Sequence, residues 1–278
     1  SRSVGFRADM DGLPIQEINE LSYKSVNAQA MHACGHDGHM AMVLGAAAEL
    51  ALHHDFDGTA YFLFQPAEEP GKGAQAMIDD GLFTRFPMEA IHGIHNMPGW
   101  PAGHLLTRSG ALMASEDNFV IRIVGRGGHA SRPQLVIDPI TISAEVVTAL
   151  QTIVSRNMDP FANAVVTVGF VKGGSAYNVI PTEAHVGGTT RTTRPEERKL
   201  IQQRIKEMCD GAAKMFGVNI EVEHRPGYPP TVNDAEKVKF ALGVAADVCG
   251  SHAVDDNVKV QNATCPATTS VSAWEVER

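Results

Sequence analysis

The stretch Met40-Ala41-Met42-Val43-Leu44-Gly45-Ala46-Ala47-Ala48-Glu49-Leu50-Ala51-Leu52, followed by Thr59-Ala60-Tyr61-Phe62-Leu63-Phe64-Gln65-Pro66, decides the fold. Its first part is rich in Ala, Leu and Met at helical spacing and predicts a helix. Its second is a short apolar run of strand type that Pro66 ends. Working outward, Val4-Gly5-Phe6-Arg7-Ala8-Asp9 reads as a core strand, Gly73 to Leu82 as a helix and Ala90 to His95 as a strand. This alternation predicts an α/β domain with a mainly parallel sheet and flanking helices. In such sheets ligands sit beyond the carboxyl ends of the strands. Asp9 and Asp11, Glu68 and Glu69, and His95 each fall at a predicted strand end, so one rim can collect them.

The middle of the chain has another rhythm. Asn118–Val124 alternates as a strand, Asp138–Arg156 reads as a helix, and strands follow at Ala164–Val171 and Glu183–Thr193. A helix over Pro195–Phe216 and a strand over Asn219–His224 complete a βαββαβ, ferredoxin-like order. After the Pro-rich segment Arg225-Pro226-Gly227-Tyr228-Pro229-Pro230, a helix over Asp234–Val248 returns to the first domain. The expected division is 1–112, 113–226 and 227–278.

Composition narrows the class. The chain has 278 residues, 44% hydrophobic and 20% charged, a soluble globular balance with room for two domains. A formal net charge of −9 without a basic stripe argues against nucleic acid and anionic membrane surfaces. No apolar run is long enough to span a bilayer, and no basic-then-apolar leader opens the sequence. Cys34, Cys209, Cys249 and Cys265 are widely separated with no disulfide-scaffold spacing, which points to a reducing, cytoplasmic setting. The chain opens within a core strand, and Gln261 to Arg278 shows no clear period, so a fragment at both ends is expected.

The chemistry concentrates in Met31-His32-Ala33-Cys34-Gly35-His36-Asp37-Gly38-His39. Cys34 and His36, two apart on a Gly-containing turn entering a helix, can both face one metal, the helix N-terminus favouring an anionic ligand. A buried Cys beside surface histidines is the plainer alternative. His32 and His39 suit support or packing better than ligation. Adjacent acids such as Glu68-Glu69 are usually a solvated pair. Facing a metal rim, one can bind the metal while the other serves as general base and then proton donor. His92 and His95 lie three apart on a strand and point to opposite faces, and the chain break after His95 favours that residue. With no CxxC in the chain, the donor set suits hydrolysis rather than a structural zinc clip. In Gly125-Arg126-Gly127-Gly128-His129-Ala130-Ser131 the imidazole fits oxyanion stabilisation better than phosphate cradling. Asn178 and Arg191 offer an amide and a guanidinium suited to a substrate carboxylate, against the commoner fate of a strand Arg as a solvated residue.

Taken in order, Arg7–Pro14 (RADMDGLP), Met31–Asp37, Gln65–Glu69, His95–Gly99, Gly127–Ser131, Asn178–Pro181 and Gly188–Arg191 resemble the dinuclear metal amidohydrolases. The branch resembled is that of hippurate hydrolase, the N-acyl-L-amino-acid amidohydrolases and the auxin-conjugate hydrolases, over roughly residues 4 to 258. The resemblance implies a catalytic α/β domain interrupted by a ferredoxin-like dimerisation domain, a homodimer or higher homo-oligomer, and two divalent ions (Zn, Mn, Co or Ni). It implies Cys34, His36, Glu69 and His95 as metal ligands, and Glu68 as general acid/base with Asp11 near the metals. It also implies His129 as the group that holds the carbonyl oxygen in the partner subunit's site, with Asn178 and Arg191 on the substrate. The expected activity is hydrolysis of the amide of an N-acyl or N-aroyl amino acid. The alternatives are a dipeptidase or carboxypeptidase of the same clan, or an inactive fragment. Three departures stand out. No residue after 258 matches the family's last histidine ligand, and His252 does not fit it. The acidic stretch upstream of that ligand is absent, and Gln134 stands where relatives commonly carry histidine.

Overall fold

A computed structural model describes residues 2–259 and the backbone of 270–273. The expectation of an irregular tail from Gln261 onward lies outside the described residues, apart from that backbone. The chain divides into two compact units, one of residues 1–113 with 231–278 and one of 114–230.

In the first unit, β1 (Ser3–Asp9) leads through a long connection to α1 (His36–Leu52), then β2 (Thr59–Gln65), α2 (Gly73–Asp79), α3 (Leu82–Arg85) and β3 (Ala90–His95). β1 is central and pairs in parallel with β2 on one side and β3 on the other. Short strands β4 (Leu105–Leu106) and β5 (Gly110–Met113) precede the second unit. Two features depart from the sequence-based expectation. The first helix begins at His36 rather than Met40, so His36, Asp37 and His39 lie in its first turn. The single helix expected over 73–82 is two, because Gly81 adopts a left-handed φ of 87° and resets the chain before α3.

The second unit runs β6 (Asp117–Val124), β7 (Gly128–His129), α4 (Pro139–Thr152), β8 (Ala164–Gly173), β9 (Val179–Ile180), β10 (Glu183–Thr192), α5 (Pro195–Phe216) and β11 (Asn219–Pro226). Its main sheet has the order β11-β6-β10-β8 with every pairing antiparallel, which is the βαββαβ arrangement. Strict alternation along β6 turns Asp117, Phe119, Ile121 and Ile123 inward. There Phe119, Ile121 and Ile123 meet Ile142, Val146 and Leu150 of α4 and Ile201, Ile205 and Cys209 of α5 in one buried core. Both helices start where the sequence lets them. Asp138 accepts a hydrogen bond from the Ile140 N–H at 2.8 Å ahead of Pro139, and Pro195 opens α5 with Glu196 and Glu197 in its first turn. The helix expected to reach Arg156 ends at Thr152 and continues as one π-type turn, Ile153–Asn157.

The chain then returns through β12 (Thr231–Asn233), which pairs with β5, to α6 (Ala235–Cys249) and β13 (Val254–Asp255), parallel to β4. β14 (Ser270–Ala273) lies antiparallel to β3, completing the sheet order β13-β4-β14-β3-β1-β2. No described helix is long and apolar enough to cross a membrane.

Because Ile121 is completely buried at the centre of the βαββαβ core, Ile121→Ala is expected to cost about 2–5 kcal/mol. Urea unfolding of the chain measures this, and a loss below about 0.5 kcal/mol, typical of surface sites, would contradict the packing described.

Candidate metal centre

The rim of the first unit is built from the ends of β1, β2 and β3 and the first turn of α1. His36 is fully buried, and its Nδ1 lies 2.9 Å from the backbone carbonyl oxygen of Asp11. A carbonyl only accepts, so Nδ1 carries the proton and Nε2 the lone pair. That Nε2 is buried with no hydrogen-bond partner, and so is Oε1 of Glu69, 3.8 Å away. Two orphaned buried acceptors facing each other are costly unless a cation lies between them.

His95 repeats the pattern. Its Nδ1 lies 2.8 Å from the Asn96 carbonyl oxygen, leaving Nε2 as the lone-pair atom, 3.5 Å from Sγ of Cys34. The ligand atoms of Cys34, His36 and His95 fall within 4.8 Å of one another, and so do those of His36, Glu68 and Glu69. Ligands of one zinc ion, each 2.0–2.3 Å from it, are separated by about 3.3–3.8 Å. The donors therefore cluster about His36, which is common to these two groups and to a third with Asp9 and His39, and whose one lone pair on Nε2 can serve a single divalent cation. Cys34 is disulfide-bonded in the structure, contrary to the sequence-based expectation, and its sulfur becomes a ligand only as the reduced thiolate.

Asp11 organises this rim through its neighbours. Its two carboxylate oxygens each accept a backbone N–H, from Glu68 and from Glu69, both at 3.0 Å. Gly73 closes the same loop, because a Cβ there would lie 1.5 Å from the Pro66 carbonyl oxygen. Gly35, at φ 79°, similarly lets the turn before α1 pass the Asn96 side chain, where a Cβ would lie 2.3 Å from Nδ2. Burial pushes the Glu68 carboxyl above the ordinary glutamate range, and the charges of Asp9 and Glu69 raise it further against the opposing pull of Arg7 and His36. Burial, with Asp11 and Asp9, does the same to Glu69. Burial pushes His95 down to about 4, so it stands neutral and ready to ligate. Carboxylates crowded until they resist ionisation, beside the neutral His95 imidazole, form a surrounding that a divalent cation relieves.

Asp9 stands at the expected strand end and His39 in the support position its spacing suggests, but the pairing of the two and the part of Asn96 in it were not foreseen. His39 is buried, with Nδ1 2.6 Å from Oδ1 of Asp9 and Nε2 2.9 Å from the Asn96 backbone N. Burial opposes the charge of Asp9, yet the His39 hydrogen bond and the Arg7 guanidinium, 2.8 Å from Oδ2, hold its carboxyl well below the usual range. The available signal was a charged pair, Arg7 and Asp9, inside an otherwise apolar strand. His32 is exposed, and His92 lies on the other side of β3, where burial and Lys237 of α6 lower its pKa.

The remaining predicted residues lie in the second unit. β7 pairs with β9, and Ala130 N–H donates to the Asn178 carbonyl oxygen at 3.0 Å, so His129 and Asn178 share one short ribbon. Arg191 sits on β10, where its Nη1 donates to Thr189 Oγ1 and the Thr190 carbonyl oxygen, and its Nη2 lies 3.2 Å from Glu116. Of its five N–H donors, Nε–H and one on Nη2 are left over for another acceptor.

A parallel-sheet rim that gathers Cys, His and carboxylate donors defines an α/β protein built around a metal site. The chain belongs to Peptidase family M20/M25/M40, matched over residues 5–270. It is 43% identical over 249 residues to hippurate hydrolase of Campylobacter jejuni, covering 90% of this chain and 65% of that protein. It is 43% identical over 255 residues to the IAA-amino acid hydrolase ILR1-like 2 of Arabidopsis thaliana, covering 90% of this chain and 57% of that one. The chain thus spans less than two thirds of the length of these relatives. A solved Bacillus subtilis structure described as a dinuclear metal binding peptidase of this family superposes with a TM-score of 0.79 at 31% identity, over 98% of this chain and 71% of that one.

Zinc titration of the reduced chain tests the donor set. Glu69→Gln is expected to weaken binding at least about tenfold. Because the Glu69 carboxyl is raised, protons compete with metal at a higher pH than at an ordinary glutamate, so on acidification wild-type affinity should begin to fall at a higher pH than the affinity of Glu69→Gln. An unchanged affinity in the variant, or a flat pH profile, would remove Glu69 from the site.

Proposed function

We propose that this chain carries the machinery of a metal-dependent amidohydrolase acting on N-acyl or N-aroyl amino acids. The observation that carries the proposal is the pair of buried, unpartnered acceptors, His36 Nε2 and Glu69 Oε1, with the Glu68 carboxylate alongside. Cys34, His36, Glu69 and His95 would hold the metal ions, with zinc, manganese, cobalt and nickel as the candidates. Bound there, two divalent ions supply Lewis acidity towards the amide carbonyl and a more acidic water.

The chain's own groups do the rest. Glu68, its carboxyl already raised by burial, takes the proton of the attacking water and delivers it to the leaving amine, the task for which a raised pKa suits a carboxyl. Asp11 keeps the backbone of both glutamates and the His36 ring in place. His129, in a homodimer serving the partner's site, donates a hydrogen bond to the carbonyl oxygen as it gains charge. Arg191 offers its two remaining donors to the free carboxylate, with Asn178 contributing its amide. The likeness to a hippurate hydrolase and to an IAA-amino acid hydrolase supports an acyl-amino acid as the substrate class.

Glu68→Ala is expected to lower kcat on benzoyl- and acetyl-amino acids by about a hundred- to ten-thousand-fold while leaving metal content unchanged. Near-normal turnover would remove Glu68 from the proton-transfer role. Turnover of dipeptides in preference to acyl-amino acids would move the substrate assignment to a peptidase.

A further inference from the structure

We infer that Ser131 is a positioning residue that fixes the ring tautomer of His129, so that Nε2–H is the group presented outward. The inference rests on the proposed role of His129 as the donor to the carbonyl oxygen, and it assigns the atom that performs it.

The geometry is local and concerns one ring nitrogen. His129 ends β7, and the chain turns at once, the Arg132 N–H donating to the His129 carbonyl oxygen at 2.9 Å. This turn folds Ser131 back over the imidazole. The Ser131 backbone N lies 3.2 Å from His129 Nδ1, and its Oγ lies 2.8 Å from the same atom. A backbone N–H can only donate, so the nitrogen it faces must carry a lone pair. The hydroxyl proton is free to rotate and adds a second donation to that lone pair. With both hydrogen bonds on Nδ1, the ring proton of the neutral imidazole belongs on Nε2. Moving it to Nδ1 would aim two N–H groups at each other and leave the serine hydroxyl without its acceptor.

The consequence is functional. A donor aimed at a developing oxyanion acts by being in place before the charge appears, without rearranging during the reaction. In the Nδ1–H tautomer His129 would show the carbonyl oxygen a lone pair and repel it. The pairing of β7 with β9 and the Ala130-to-Asn178 hydrogen bond hold the backbone around the turn. The backbone thus sets where the ring is, and Ser131 sets which nitrogen bears the proton.

Histidine-ring ¹⁵N NMR of the labelled full chain reads the tautomer directly, with His129→Gln assigning the signals. The wild type should show Nε2–H in large excess over Nδ1–H. Ser131→Ala, which keeps the backbone donor, should lower that ratio severalfold, and Ser131→Thr should restore it. In turnover of an acyl-amino acid, Ser131→Ala should lower kcat by about two- to tenfold, the worth of one neutral hydrogen bond, with KM unchanged. A wild-type ring dominated by Nδ1–H, or a ratio indifferent to Ser131→Ala, overturns the inference. If the tautomer behaves as stated but His129→Gln turns over normally, the tautomer assignment stands and the oxyanion role of His129 falls.

Discussion

Asp9 is 1% exposed, and a carboxylate so far from water has to be paired. Its partners are Arg7 on its own strand and His39 on α1, and His39 in turn meets Asn96 just past β3. One chain of contacts therefore ties together the end of β1, the first turn of α1 and the end of β3. Those three segments deliver His36 and His95, and the first of them leads directly to Asp11. Breaking the pair would leave a buried charge uncompensated where the site needs its backbone fixed. The placing of the proposed ligands His36 and His95 therefore rests in part on this buried pair.

Around that pair the rim is assembled by division of labour among atoms rather than residues. Carbonyl oxygens of Asp11 and Asn96 each occupy one nitrogen of a histidine and leave the other with its lone pair facing inward. The Asp11 carboxylate spends both oxygens on the backbone of the glutamate pair. What remains unspoken for, among the buried side-chain atoms of the described rim residues, is His36 Nε2 and one oxygen of Glu69. The second unit treats His129 in the same way, with Ser131 occupying Nδ1. At each of these three histidines a neighbour decides which nitrogen is available.

Much of this architecture is legible in the residues themselves. β2, β3 and α5 coincide with the apolar runs and helical period that predict them, because their side-chain pattern and their burial follow the same period. The convergence of Asp11, the glutamate pair and His95 follows from strand ends sharing one rim. The start of α1 was not legible, because His36, Asp37 and His39 make its first turn polar and hide its period. Nor was the pairing of His39, whose partners lie 30 and 57 residues away. A lone polar residue on an apolar strand does not announce which distant residue will neutralise it. The split of α2 from α3 turns on the φ of one glycine, which the helical period on either side overrides in the sequence.

Cys34, His36, Glu69 and His95 are proposed as the donors for divalent metal at this rim. X-ray absorption at the zinc edge, on the reduced chain loaded with zinc, tests this most directly. The account predicts a mixed shell with one sulfur at about 2.3 Å and nitrogen and oxygen at about 2.0–2.2 Å, the sulfur path vanishing in Cys34→Ser. An oxygen-only shell, or a sulfur path that survives that substitution, would contradict it.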